Sequence, residues 1–234
     1  MCDRFSLTTT VPDLCERFAL HDTRVSLRPR HDYSPNRTVP VIVNDGGKRA
    51  LEGHRWGLVP FWAKDAVLTD SAEIQDKREY RKLFAKHRCV FPCDKFYVYT
   101  QEGKRQQVYE AAAENGETLA LAGFYEIWLD KQGGEFRTCT MMTTVSNRLL
   151  YAYTERMPAI LKGNDWDEWL NEERNGEPDY LQSLLTPFPP ELMRLRAALN
   201  EELAERSEAE EGGADGEESK PVRGVSLLLS SLRK

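Results

Sequence analysis

The stretch RCVFPCDKFYVY, residues 88–99, decides the fold because it contains two strand-like runs joined by a turn. Cys89–Phe91 and Phe96–Tyr99 are rich in β-branched and aromatic residues, whereas Pro92 and Asp94 are typical turn formers. Similar runs predict strands at residues 39–43, 119–122 and 138–144. Hydrophobic spacing predicts helices at residues 12–19, 75–87, 166–173 and 191–205. These elements together predict one mixed domain of helices and strands over residues 1–200.

The composition is that of an ordinary globular protein. The 234 residues are 40% hydrophobic and 30% charged, which suits one substantial domain followed by a tail. The sequence contains no run of about 18 apolar residues, and the N-terminus lacks the pattern of a signal peptide. We therefore expect a monomeric cytoplasmic protein without a membrane span.

The cysteines do not form a disulfide or zinc pattern. Their number is odd, and no second pair of ligands follows the closest two at zinc-like spacing. The five positions are Cys2, Cys15, Cys89, Cys93 and Cys139. We expect buried, reduced thiols and neither a metal nor a cofactor.

The last part of the chain divides into two segments of opposite charge. Residues 201–219 carry nine acidic side chains and one basic one, a composition that is expected to stay solvated. The overall net charge of -6 becomes +2 without them, so a local basic surface elsewhere is compatible with the total. Residues 220–234 are basic, and Val225, Leu228, Leu229 and Leu232 fall on one face of a helix. This segment packs on its own domain, binds a protein partner from a flexible tether, or stays frayed.

Cys2 is the residue with the most distinctive chemistry. Removal of Met1 would give it a free amine and a thiol, which titrate near ~8 and ~8.5 in unperturbed peptides. The amine can form a Schiff base with an aldehyde, and the thiolate can then close a thiazolidine ring on the same carbon. The ring-opened sugar of an abasic site offers such an aldehyde. A cysteine at position 2 is a weak signal on its own.

Five sequence blocks, in order along the chain, supply the support that the position of Cys2 alone does not give. Residues 1–5 read MCDRF, residues 55–64 read RWGLVPFWAK, and residues 88–97 open the stretch quoted above. The blocks LAGFYEIW at 121–128 and RMPAIL at 156–161 follow, the second preceded by Thr143-Thr144. This series resembles the SRAP family, the abasic-site processing proteins. The resemblance implies an α+β fold, with a curved, barrel-like antiparallel β core, flanking helices and a basic cleft for single-stranded DNA.

The resemblance also assigns roles to individual residues. Cys2 is the predicted catalytic residue, and Arg4 and Arg156 are predicted phosphate contacts. Trp62 is predicted to stack against DNA, with core packing as the alternative. A structural salt bridge is the alternative for Arg156. Trp56 is expected in the core.

Other positions depart from the family pattern. The family Asn that orients the opened sugar and the family Arg that holds phosphate fall on Thr69 and Ser71, which we keep as predicted DNA contacts. The family Glu that manages protons falls on Val98. The family His that assists ring opening falls on Thr154. Glu126 matches a different strand of the family and is not an obvious replacement.

Three functions remain open at this point. The chain is a working abasic-site sensor that crosslinks through Cys2, or a degenerate paralogue that binds single-stranded DNA without efficient crosslinking. Alternatively, it is a protein-interaction module whose working parts are the acidic and C-terminal segments. Loss of general acid–base groups slows a step by about 10²–10⁴ each, whereas the aminothiol of Cys2 would remain.

Overall fold

A computed structural model describes residues 3–27, 30–58, 66–102, 105–129 and 133–198. Cys2, Trp62 and both C-terminal segments, residues 201–219 and 220–234, lie outside these residues, and the predictions made for them stay predictions. None of the described helices is long and apolar enough to cross a lipid bilayer.

Strands dominate the described chain. The strands are β1 Phe5–Leu7, β2 Asp22–Thr23, β3 Arg30–Tyr33, β4 Thr38–Asp45, β5 Lys48–Trp56, β6 Leu68–Asp70, β7 Arg88–Cys93, β8 Lys95–Glu102, β9 Arg105–Ala113, β10 Leu119–Leu129, β11 Glu135–Val145, β12 Arg156–Pro158, β13 Ile160–Leu161 and β14 Met193–Ala197. The α-helices are α1 Val11–Phe18, α2 Arg78–Lys86, α3 Asp165–Leu170 and α4 Pro178–Ser183. Short 3₁₀ turns cover Ser71–Glu73, Glu172–Gly176 and Pro190–Leu192.

Five strands close into a barrel in the order β11-β10-β7-β4-β5. Four of these pairings are antiparallel, and a parallel pairing of β5 with β11 closes the ring at Arg55 and Thr138. Aromatic side chains of β1, β5 and β7 pack together: the ring of Phe5 lies 5.5 Å from that of Trp56 and 6.3 Å from that of Phe91. Trp56 is completely buried, as predicted. The α+β fold with a barrel-like core is confirmed.

The stretch 88–99 links the barrel to a second sheet of order β14-β9-β8-β1-β3. Strand β7 lies in the barrel, and β8 begins in the second sheet after the corner at Asp94. The Asp94 carboxylate accepts hydrogen bonds from both the backbone and the hydroxyl of Thr9, and from the hydroxyl of Thr118 at 2.8 Å. Burial favours its neutral form, but these bonds outweigh burial and lower the pKa of Asp94. The charged Asp94 carboxylate and its hydrogen bonds therefore stabilise the corner that the sequence predicted as a turn.

Close packing explains a glycine of the LAGFYEIW block. A Cβ atom on Gly123 would lie 2.7 Å from the carbonyl oxygen of Thr140 and closer still to the ring of Phe91. Only glycine allows β10 to approach both neighbours at this point.

Arg88 fastens the helices to the barrel. Its guanidinium is buried and donates to the carbonyl oxygens of Phe84 and Trp169, at 2.9 Å and 2.6 Å. It also donates to the backbone of Asn171 and the side chain of Asn175. Burial lowers the pKa of Arg88 to about 10. One side chain thus joins α2 to α3 and the turn after it.

Three of the four predicted helices are present as α1, α2 and α3. The helix predicted at 191–205 is wrong for residues 191–198, the part of it that the structure describes. Residues 193–197 form β14, which pairs antiparallel with β9 from Met193↔Ala113 to Ala197↔Tyr109. The local sequence favours a helix, yet β9 offers an otherwise open edge, and Arg196 bonds the buried carboxylate of Glu110. Tertiary pairing overrides local propensity here.

Candidate nucleic-acid interface

Strand β1 fixes the chain just beyond Cys2. The carbonyl oxygen of Arg4 accepts a hydrogen bond from the backbone N–H of Tyr97 at 3.2 Å, and Phe5 pairs with Phe96 on β8 and with Tyr33 on β3. Asp3 is exposed. The residue that follows Cys2 is therefore open to solvent.

Arg4 carries a carboxylate partner. Its Nη1 donates to Oδ2 of Asp32 at 2.8 Å. The Asp32 side chain is almost fully buried, whereas one third of the Arg4 side chain is exposed. The guanidinium is thus partly neutralised but remains accessible to a second anion.

Arg156 also has a carboxylate partner, which is Asp70. Its Nη2 donates to Oδ1 of Asp70 and to the carbonyl oxygen of Thr143 at 2.7 Å. Asp70 also caps the following 3₁₀ turn, because its Oδ1 accepts from the backbone N–H of Ala72 at 2.8 Å. Both charged side chains are partly exposed, 24% for Arg156 and 32% for Asp70. The salt bridge that was the alternative role for Arg156 is therefore present in the structure.

Sequence reasoning missed the role of Asp70. The sequence places this acid between Thr69 and Ser71, the two predicted DNA contacts. Strand β6 pairs with β11 through Thr69↔Met142 and Asp70↔Thr143, and β12 pairs with the same strand through Thr143↔Pro158. This shared strand brings Asp70 to Arg156, and no local pattern reveals that contact.

Thr69 and Ser71 are both buried. The Thr69 hydroxyl lies 3.1 Å from the Thr140 hydroxyl, and the Thr69 carbonyl oxygen accepts from Thr143. The Ser71 carbonyl oxygen accepts from Nε2 of Gln182 at 2.9 Å. Each residue supports the packing of β6, and its predicted contact with DNA stays a prediction.

The positions of the two lost acid–base groups hold no titratable side chain. Val98 is completely buried in the main core. The Thr154 hydroxyl donates to the carbonyl oxygen of Arg156 at 3.0 Å and accepts from its backbone N–H. Neither residue can take or give a proton near neutral pH.

Of two candidates for replacement acids, Glu110 does not share a sheet face with Val98, and Glu126 does not share a strand pairing with it. Glu110 opposes Tyr97 across β8 and β9, so it lies on the other face of the sheet from Val98. Burial favours its neutral form, but bonds from Arg196 and Lys95 outweigh burial and lower the pKa of Glu110. Glu126 lies on β10, which pairs with β7, β11 and β13 rather than with β8.

The described residues contain no group of three histidine, cysteine or acidic side chains that could hold a metal ion. In the described part of the chain, Cys15, Cys89, Cys93 and Cys139 form no disulfide, and all but Cys15 are buried. Burial raises the pKa of Cys89 and of Cys139 well above the usual value, so these two thiols are poor nucleophiles.

Comparisons with known proteins agree with this architecture. The family model for SOS response associated peptidase (SRAP) matches residues 1–201. The chain is 34% identical over 197 residues to abasic site processing protein YoqW of Bacillus subtilis, covering 80% of this chain and 88% of YoqW. It is 29% identical to abasic site processing protein HMCES of Gallus gallus, covering 62% of this chain and about half (54%) of HMCES.

Among solved structures, a protein from Bacteroides thetaiotaomicron has a similar fold, with a TM-score of 0.77. It shares 24% sequence identity, and the match covers 87% of this chain and 94% of that one. The resemblance found in the sequence is confirmed. The chain belongs to the SRAP family.

Proposed function

We propose that this protein processes abasic sites in single-stranded DNA and that mature Cys2 is the residue that reacts. The match of the SRAP family to residues 1–201 carries this proposal. Its relatives YoqW and HMCES are both named abasic site processing proteins. Action on DNA is consistent with a cytoplasmic, nucleoid-associated location.

The proposed reaction uses only Cys2 and the sugar. After Met1 is removed, the α-amine adds to the C1′ aldehyde of the ring-opened sugar and loses water, giving a Schiff base. The Cys2 thiolate then adds to the same carbon, and the former imine nitrogen takes up a proton. The product is a five-membered thiazolidine that joins protein to DNA without an external oxidant or reductant.

The rate of this step is expected to be low. Val98 and Thr154 occupy the family's acid–base positions and cannot transfer protons near neutral pH. The missing assistance is worth about 10²–10⁴ in rate for each group. The intrinsic aminothiol reaction remains because the reagent is Cys2 itself.

Arg4 and Arg156 are the proposed phosphate contacts, together with Trp62 as a proposed stacking residue. Each arginine already has a carboxylate partner, Asp32 or Asp70, so a DNA phosphate must displace or share that partner. Weak, strongly salt-dependent binding is the expected result.

Mixing the purified protein with a single strand that carries one abasic site tests the proposal. We expect an adduct that survives denaturing electrophoresis, is absent in Cys2→Ala and persists in Cys15→Ala, the matched control for a partly exposed thiol. A strand carrying a tetrahydrofuran site, which lacks the aldehyde, should bind without an adduct. Intact mass must show loss of Met1 in the active preparation.

Non-covalent binding is a second candidate function. It is favoured by the burial of Val98 and by the locally bonded hydroxyl of Thr154. Equal affinity for the abasic and tetrahydrofuran strands, without any adduct over hours, would select this candidate. Absence of binding to either strand at low salt would reject both functions.

A further inference from the structure

A surface cleft of about 390 Å³ lies among residues that the proposed function does not use. Its floor is apolar and includes Leu119, Leu161, Phe188 and Leu192. The first three side chains are nearly buried, whereas Leu192 is 51% exposed. The cleft therefore presents an apolar surface to solvent, beside the start of β14.

The rim of this cleft is acidic. Glu114, Glu117 and Glu191 line it together with one cation, Arg17, which gives the lining a net charge of -2 (one positive and three negative side chains). Arg17 bonds Glu117 at 3.0 Å. In the described part of the chain, Glu114 and Glu191 form no ion pair. An apolar ligand that carries positive charge fits this surface best.

We propose that the cleft binds residues 220–234 of the same chain. This segment contains four basic residues and no acidic ones. Its apolar residues Val225, Leu228, Leu229 and Leu232 fall on one face of a predicted helix. The apolar face matches the floor, and the basic side chains match the free carboxylates of the rim.

The length of the connecting chain suits this contact. Leu192 in the cleft is followed at once by β14, whose five residues span about 17 Å. As a flexible coil, 21 residues, the number from 199 to 219, would have a root-mean-square span of about 25 Å. The segment can therefore reach the cleft without extending the tether, and an effective concentration near the millimolar range allows weak contacts to hold.

The test uses the full chain without DNA, so its result is independent of the proposed function. A zero-length carbodiimide should join Lys220 or Lys234 to Glu114 or Glu191. Hydrogen exchange of the amides at 113–120 and 188–192 should be slowed about tenfold or more by docking. The double variant Leu228→Asp/Leu229→Asp should lose both signals. Ser226→Asp/Ser230→Asp adds the same charge on the opposite helical face and should retain both signals.

The alternatives give different results. In a mixture of isotopically light and heavy chains, crosslinks within one chain support the proposal, and mixed crosslinks overturn it in favour of a second copy. The exposed side chain of Leu192 allows a second check, because Leu192→Asp should release the segment while the barrel exchange stays unchanged. Equal exchange in all variants, without crosslinks, overturns the proposal.

Discussion

Glu52 and Asp70 are both carboxylates bonded to arginine, but they lie in opposite surroundings. The Glu52 side chain is 4% exposed and contacts Arg24, Arg137 and His54 within one network. The Asp70 side chain is 32% exposed and faces Arg156 at the proposed DNA interface. An ion pair surrounded by protein stabilises the fold only while every partner is present. An ion pair open to water can exchange one partner at low cost, as a phosphate-binding site requires.

The buried network also shifts the ionisation of its members. Burial favours a neutral Glu52, but hydrogen bonds from His54 and Arg137 outweigh burial and lower the pKa of Glu52 to about 2. Burial lowers the pKa of His54 despite its bond to Glu52. The Nδ1 atom of His54 is buried and has no hydrogen-bond partner in the described residues, so a proton there would be poorly placed.

The largest expected effect comes from Glu52→Gln. The amide cannot accept charge-assisted bonds from two arginines and a histidine. Because the side chains of Arg24 and Arg137 are 40% and 31% exposed, we expect a loss of about 2–3 kcal/mol in the free energy of unfolding. Urea denaturation measures it. Asp70→Asn is the matched change in the open pair and should cost less than about 0.5 kcal/mol, since asparagine also caps a helical turn. Equal losses at the two sites would contradict the comparison.

Acid should destabilise the protein through the same network. A histidine with a lowered folded-state pKa stabilises the fold fully above its unfolded value of about 6.5, and this contribution is lost as the pH falls below that value. Glu52 loses its contribution later, between about pH 4.5 and 2. We therefore expect the urea concentration at the midpoint of unfolding to be lower at pH 5.5 than at pH 7.5. This decrease should be smaller than the decrease caused by Glu52→Gln. His54→Gln should reduce the slope of that part of the profile without removing it, because burial also lowers the pKa of His87.

Substitution in the solvent-exposed Asp70–Arg156 pair should change the affinity for DNA instead of the stability. Asp70→Asn frees Arg156 from a competing negative charge, and we expect about fivefold tighter binding to single-stranded DNA at low salt. Fluorescence anisotropy with a labelled tetrahydrofuran strand measures this without crosslinking. Glu73→Gln removes an equal charge three residues away and is the control. Unchanged affinity in Asp70→Asn would remove Arg156 from the proposed interface.

The smallest effect is expected in the salt dependence. If Arg156 neutralises one phosphate, Arg156→Gln should reduce the slope of log affinity against log salt by about 0.7. Arg17→Gln, at the acidic cleft, should leave that slope unchanged. Identical slopes for the wild type and Arg156→Gln would assign Arg156 to structure alone.

Several features were accessible from the sequence because they depend on local pattern. The strands at residues 39–43 and 138–144 alternate or cluster apolar residues as strands do, and α1 begins with Thr10 as its cap. The helix predicted at 191–205 failed since its edge-strand role depends on β9, more than eighty residues earlier. The Asp70–Arg156 contact was equally out of reach, because two separate strands must pair with β11 to create it.

The amino-acid sequence by itself determined the family and the α+β class and predicted Cys2 as the reacting residue, since these depend on residue types in order along the chain. Only the tertiary structure decided which charges meet: Arg156 with Asp70, Arg4 with Asp32, and Glu52 with Arg24 and Arg137. Solvent exposure of the carboxylate then separates Asp70, at 32%, from Asp32 and Glu52, at 4% each. Exposure is a property of the packed barrel and its second sheet, so no stretch of sequence contains it.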